Sequence, residues 1–267
     1  MDQPEDVRGL VVWDAAVMGW RRLARRPSAD RVFRWERQGE ADCFWWVGRP
    51  GKIAHQLFLS ADSSETAARS VRRALESSYA QNGGDVCVRI LDRPDLAAVL
   101  DDLHPTSSST APLMLCELAR RPPSPPAPPA PPSEFTTAII RDAEERARLL
   151  RMVGGVYDDP DGLTGFFHGA GAADIIGAFD GRRLVASATV VTAGVTANLW
   201  SVATAQEDRG RGAASAVVAA ALDHAVAAGC SQAGLGTSDE LTPWYGRFGF
   251  TEVGRERSAT IARAWTG

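Results

Sequence analysis

The sequence predicts two α+β domains in which helices are layered against mixed sheets. Three observations lead there. The chain has 267 residues, about twice a common domain size. Residues 122–132 (PPSPPAPPAPP) hold eight prolines in eleven, a run that forms neither helix nor sheet. On both sides of it, short β-branched or aromatic runs alternate with longer helical stretches. As polyproline II the run makes a semi-rigid spacer of up to roughly 34 Å. The expected domains are residues 1–121 and 133–267, with 122–132 as linker.

In the first part, residues 41–48 (ADCFWWVG) and 53–59 (IAHQLFL) read as strands joined by a Pro50-Gly51 turn. Residues 63–82 form a long polar helix closed by Gly83-Gly84, and 85–91 (DVCVRIL) another strand. A helix at 95–103 and a strand at 112–118 complete it. Arg21, Arg22, Arg25 and Arg26 cluster at helical spacing, which reads first as a solvated helix face.

In the second part, residues 134–141 read as a strand and 142–153 as a charged amphipathic helix. Residues 174–179 and 183–193 form a hairpin across Asp180-Gly181, a strong turn signal. A strand at 196–204 follows, then an alanine-rich helix at 209–228 stopped by Gly229. A buried strand at 231–236, a short helix at 243–248 and a terminal strand from Phe250 make a mixed sheet with one main crossover.

Composition narrows the function. With 45% hydrophobic and 23% charged residues the chain is globular. Net charge is −4, zero in the first part and −4 in the second, with a pI near 5.6. This argues against a dedicated nucleic-acid binder. Cys43, Cys87, Cys116 and Cys230 are far apart with no C-x-x-C pair, so reduced thiols are expected, with no disulfide framework and no metal site. Residues 184–206 carry no charge over 23 positions, but their Ser, Thr and Asn content suits two core strands, not a membrane span. The acidic N-terminus does not read as a signal peptide, and a cytoplasmic protein is expected.

The chemistry concentrates where the strand ending Val202-Ala203-Thr204 runs through a polar turn into Arg209-Gly210-Arg211-Gly212-Ala213-Ala214. A helix start presents unpaired amides and the positive end of its dipole, and glycines let an anion approach that backbone. Arg209 and Arg211 add pairing charge. No Lys-Ser/Thr follows, so this is not a P-loop, and it lacks the G-x-G-x-x-G dinucleotide pattern.

The R-x-x-G-x-A of Arg209–Ala214 resembles the acyl-CoA motif of the GNAT N-acetyltransferase superfamily. Tyr245-x-x-Phe248-Gly249-Phe250 is similar to its second signature, with a helix, glycine stop and strand between. The resemblance covers residues 134–262 and implies a mixed, mostly antiparallel sheet flanked by helices. It implies acetyl-CoA or another acyl-CoA as co-substrate, its pyrophosphate on the amides of 209–214. Pantetheine would lie between two splayed strands beside Val202, Ala203 and Thr204, with Ser238 touching it and Tyr245 at the thioester sulfur. The acceptor would be a small-molecule amine, without metal or membrane, in a monomer or homodimer.

Acyl transfer asks for such parts. It develops an oxyanion that needs preorganised donors, and a thiolate of reference pKa near 8.5 that a phenol near 10 can protonate. Tyr245 is the only tyrosine after the glycine motif; the competing reading packs its ring against Phe248 and Phe250. The acceptor must lose a proton too: a lysine-like amine is neutral in about one molecule in 2,500 at pH 7, a penalty near 4–5 kcal/mol. Many relatives place a Glu on the fourth strand, and residues 196–201 carry no acid. Asp239 and Glu240 read as solvated loop residues, His224 as an ordinary helix residue. His168 lies in the irregular region 153–171, where the superfamily often builds its acceptor site.

Two alternatives stand beside CoA-dependent N-acylation. One is a transferase of this fold fed by aminoacyl-tRNA, motivated by the Arg21–Arg26 cluster and weakened by the acidic balance. The other is a non-catalytic acyl-CoA sensor. The order strand–strand–helix–strand–helix–strand in residues 1–121 fits a degenerate copy of the same fold that has lost its CoA loop.

Overall fold

The computed structural model describes residues 5–24, 33–46, 55–60, 64–81, 84–121, 135–157 and 173–262. They fall into two compact units, Met1–Leu113 with Gly236–Asp239 and Glu252–Gly267, and Met114–Leu235 with Glu240–Thr251. This differs from the boundaries drawn on the sequence. Residues 114–121 pack with the second unit, and the last strand with the first. The proline run, the Pro50-Gly51 turn and His168 lie outside the described residues.

The first unit contains α1 (Glu5–Ala24), β1 (Phe33–Gln38), β2 (Ala41–Trp46), β3 (His55–Leu59), α2 (Ser64–Gln81), β4 (Val86–Leu91), α3 (Pro94–Asp101), the start of β5 (Ser107–Glu117) and nearly all of β11 (Thr251–Ile261). Its strand order is β1-β2-β3-β4-β11-β5. β3 and β4 run parallel across five pairs, from His55/Val86 to Leu59/Ile90. β11 pairs antiparallel with β4 from Glu256/Leu91 to Ile261/Val86. Leu57, Leu59, Val71, Leu75, Val88 and Ile90 are among the side chains that fill the core. β3 is buried along its whole length, as a central parallel strand must be.

The sequence does not predict β1, and of α1 it reads only the basic end at Arg21 and Arg22 as helix. β1 (FRWERQ) alternates only through Phe33 and Trp35 before turning polar, too short a pattern to mark this edge strand. α1 is held by tertiary contact: Trp13 and Trp20 pack on Phe58 at 5.5 Å between ring centres, and Trp20 on Phe44 at 5.4 Å. Arg21 is not a solvated residue. Its Nε and Nη2 donate to the fully buried Asp42 carboxylate at 2.6 and 2.5 Å, and Trp35 Nε1 donates to the same group at 2.7 Å. Removing one partner of such a pair strands a buried charge. Arg21→Ala should therefore cost on the order of 3 kcal/mol in urea unfolding, and Arg21→Lys, which lacks the planar fork, should recover only part of it.

The second unit contains β6 (Phe135–Ile139), α4 (Ala143–Tyr157), β7 (Asp174–Asp180), β8 (Arg183–Ala193), β9 (Thr196–Thr204), α5 (Ala213–Ala227), β10 (Gln232–Gly236, through Leu235) and α6 (Thr242–Gly246), with the end of β5. Its strand order is β5-β10-β9-β8-β7-β6. β6 to β9 form an antiparallel meander, and α5 carries the chain over to β10, parallel to β9. The 23 uncharged residues are thus two antiparallel strands, and no helix among the described residues is long and apolar enough to cross a membrane. The β7–β8 turn has Gly181 at φ +59°, the left-handed geometry a two-residue hairpin needs.

Two cores flank this meander. Val217, Val218, Ala221 and Leu222 of α5 pack on Ala186, Ala188 and Val190, together with Met114, Cys116 and Leu118. Leu149 and Val153 of α4 pack on Ile175 and Ala203. All four cysteines are free. Burial pushes the Cys43 thiol up and that of Cys116 up to about 11, so neither is poised as a nucleophile.

Candidate active site

The site grows from a fork between two strands. β10 pairs with β9 at only three positions, Gln232/Thr196, Ala233/Ala197 and Gly234/Asn198. β9 continues to Thr204, paired with β8 on its other side. Beyond Asn198, then, the β10-facing edge of β9 carries no strand pairing among the described residues. Within that stretch the β8 register slips by one, so that Ser201 and Val202 face the single Ala188, and Ser201 sits at φ +48°. This is a β-bulge, a device that bends a strand and re-aims its backbone.

A helical turn over Gln206–Asp208 leads from β9 into Arg209–Gly212. Gly210 and Gly212 have φ +77° and +91°, and Gly212 caps α5. The helix expected from Arg209 therefore begins at Ala213, because two left-handed residues cannot continue a right-handed helix. The first internal bond runs from Ala216 N–H to Gly212 C=O at 3.0 Å, so the amides of Ala213, Ala214 and Ser215 precede the ladder. A side chain at Gly210 or Gly212 would meet nothing within 4 Å, which means the turn faces open room.

Electrostatics separate the two arginines of the motif. Arg209 is exposed. Arg211, expected to add charge for a phosphate, is exposed too but already paired: Nη1 donates to Asp208 at 2.5 Å, Nη2 to Asp180 at 3.0 Å, and the guanidinium lies 5.2 Å from the Phe135 ring centre. Asp208 is buried and also receives Arg183. The Arg183 guanidinium, with Arg211, holds its carboxyl below the usual carboxylate range.

Tyr245 sits in α6, buried, its ring 4.7 Å from Trp244 and 5.8 Å from Phe250 in edge-on contacts. It shares one core with Leu199 of β9, Leu235 of β10 and Ala213, the first residue of α5. The tertiary structure thus gathers the fork, the helix start and the phenol-bearing helix around one cluster. Ser238 is not among them; it is exposed and belongs to the first unit. Asp239 is held by Arg255 at 2.7 and 2.8 Å, Glu240 is exposed, and His224 Nε2 lies 3.0 Å from Asp174.

The sequence reading passed over three residues. Ser187, Thr189 and Asn198 are buried, and the Ser187 and Thr189 hydroxyls and both amide atoms of Asn198 have no hydrogen-bond partner among the described residues. Register places Asn198 opposite Val191, so it shares a face with Thr189 and Ser187, the face on which α4 packs. Their signal was polarity inside an apolar strand, counted only against a membrane span.

The profile of the acetyltransferase (GNAT) family matches residues 117–250. No curated protein matches the chain. Among solved structures, a GCN5-related N-acetyltransferase from Kribbella flavida is 16% identical, with 93% of each chain covered and a TM-score of 0.67. A tandem GNAT protein from the clavulanic acid biosynthesis pathway is 13% identical, covering 85% of this chain and 79% of its own, at 0.61. A GCN5-related N-acetyltransferase from Sphaerobacter thermophilus is 14% identical, covering 84% and 77%, at 0.59. At these identities the structures share a fold. The family profile spans half of the sequence and takes in the fork, the glycine turn and Tyr245, and on that ground the chain belongs to the GNAT acetyltransferase family.

Proposed function

We propose that the second unit transfers an acetyl or other short acyl group from acyl-CoA to the amine of a small molecule, by direct attack on the thioester. Family membership supports acyl transfer in general. The observation that carries the finer reading is the fork: parallel pairing stops at Asn198/Gly234 next to a turn whose two left-handed glycines face open room. An extended pantetheine arm fits the edge of β9 that β10 leaves after Asn198, beside Val202, Ala203 and Thr204, by the logic of an added strand. The amides of 210–214 suit a diphosphate, that of Arg209 being turned to Gln206 C=O at 3.4 Å, with the α5 dipole and the Arg209 side chain supplying positive charge. These groups lie within one unit and suit the co-substrate.

Bound acyl-CoA supplies the activated carbonyl. The chain holds the pyrophosphate, aligns the thioester and gives the departing sulfur a proton from Tyr245. No carboxylate lies on β9, so an amine already neutral near pH 7 is the acceptor that needs least help. The tRNA-fed alternative loses part of its motive, because Arg21 is bound to Asp42.

The first unit repeats the order β2, β3, helix, β4, but its parallel pair stays closed over five residues and α2 contains no glycine. We read it as a GNAT-like copy without a CoA cleft.

The test is thermal unfolding with acetyl-CoA, followed by free-thiol release across an amine panel. A ligand at 100 times its Kd stabilises by about 2.7 kcal/mol. Stabilisation without thiol release for any amine would favour a sensor; no stabilisation would remove the CoA reading. Gly212→Val should abolish the acetyl-CoA shift in the same assay, since a β-branched residue at φ +91° is strained by about 1–3 kcal/mol and projects into the room the anion needs.

A further inference from the structure

We propose that Asp208 is the positioning residue of the pyrophosphate turn: its carboxylate ties Arg183 and Arg211 into a fixed frame, so that the amides of 210–214 are arranged before a diphosphate arrives. The inference rests on the acyl-CoA reading given above.

Asp208 directly precedes the turn and is 1% exposed. Arg183 grips it with both terminal nitrogens, at 2.5 and 2.7 Å, and Arg211 donates to it from within the turn at 2.5 Å. Arg211 reaches on to Asp180 at 3.0 Å. Asp180 and Arg183 are the last paired residues of the β7–β8 hairpin, one on each strand. A turn built on two glycines would otherwise sample many conformations. Here it is bracketed: Asp208 anchors its start, Arg211 its interior, and both anchors end on the same hairpin. With Glu207, 3.6 Å from Arg183, the frame sets three carboxylates against two guanidiniums, so it carries no surplus positive charge. Attraction for a diphosphate then falls to the oriented amides, the helix dipole and Arg209, with Arg211 acting through the backbone it fixes. Because its partners keep Asp208 ionised well into acid, affinity for CoA should be flat through neutral and mildly acidic pH and fall only as the carboxyl finally protonates.

The experiment compares acetyl-CoA with acetyl-pantetheine, which offers the same thioester without a pyrophosphate. In Asp208→Asn, Kd for CoA should rise roughly tenfold or more, as expected for loss of charge-assisted hydrogen bonds. The kcat/KM for acetyl-CoA should fall in step, while that for acetyl-pantetheine changes less than twofold. Arg183→Met, which leaves the Asp208–Arg211 pair in place, should show a smaller loss of the same pattern and serves if Asp208→Asn does not fold. Equal losses with both thioesters would overturn the proposal by showing a general structural role, and an unchanged Kd would overturn it outright. A wild-type enzyme with no preference for acetyl-CoA over acetyl-pantetheine would overturn both the CoA reading and this one, before any variant is made.

Discussion

A chain shortened to residues 133–267, the second domain as drawn from the sequence, should be unfolded. The reason lies in β5. Its end, with the turn after it, belongs to the second unit: Met114, Cys116 and Leu118 sit in the same core as Val217, Tyr245 and Phe250. Leu118 N–H donates to Ser231 C=O at 3.0 Å, Thr251 Oγ1 to Leu115 C=O at 3.4 Å, and Arg121 pairs with Asp223 at 2.6 Å. Losing the buried Met114, Leu115 and Leu118 forfeits about 1.5–3 kcal/mol each, or roughly 5–9 kcal/mol together. A domain is usually stable by only about 5–15 kcal/mol. Circular dichroism of the shortened chain should show no cooperative melt, whereas a chain beginning near residue 107 keeps these contacts. A cooperative melt of residues 133–267 would show that the strand is dispensable. The converse truncation, ending near residue 251, takes β11 from β4 and should destabilise the first unit in the same way.

Tyr245→Phe should lower kcat about a hundredfold and leave the fold intact. The ring contacts with Trp244 and Phe250 do not involve the hydroxyl, so core packing survives, with a stability change of about 1 kcal/mol at most. General acid catalysis contributes typically about 10²–10⁴-fold. KM for acetyl-CoA should hardly move. An unchanged kcat would assign Tyr245 to the core alone, the reading its burial among aromatics also allows.

Local chemistry explains what could be read in advance. Asp180-Gly181 announced its hairpin because only a residue tolerant of positive φ closes a two-residue turn. The spacing of Arg209–Ala214 and Tyr245–Phe250 announced the candidate site, because glycine, charge and phenol are visible as letters. The β-branched runs of β8 and β9 gave their strands to the residue. By contrast, β5 was read from Pro112 although it begins at Ser107, since Ser107–Thr110 are exposed and polar and only the ladder makes them a strand. Most of α1 was hidden because its stability comes from Phe44 and Phe58, residues more than twenty positions away. The roles of Asp208 and Arg211 are unreadable for the same reason: their partners on the β7–β8 hairpin, Arg183 and Asp180, lie 25 and 31 residues upstream.

From its letters alone, the chain determined its α+β character, its turns, and a glycine-marked helix start paired with a downstream tyrosine. Those are properties of a residue and its near neighbours, fixed by backbone sterics and side-chain chemistry. Only tertiary structure decided that β11 completes the first unit, that β5 is divided between the two, that β10 leaves β9 after three pairs, and which arginine of the motif stays available. Each of those is a choice among distant partners of similar local propensity, settled by the burial and charge pairing that the folded chain as a whole makes possible.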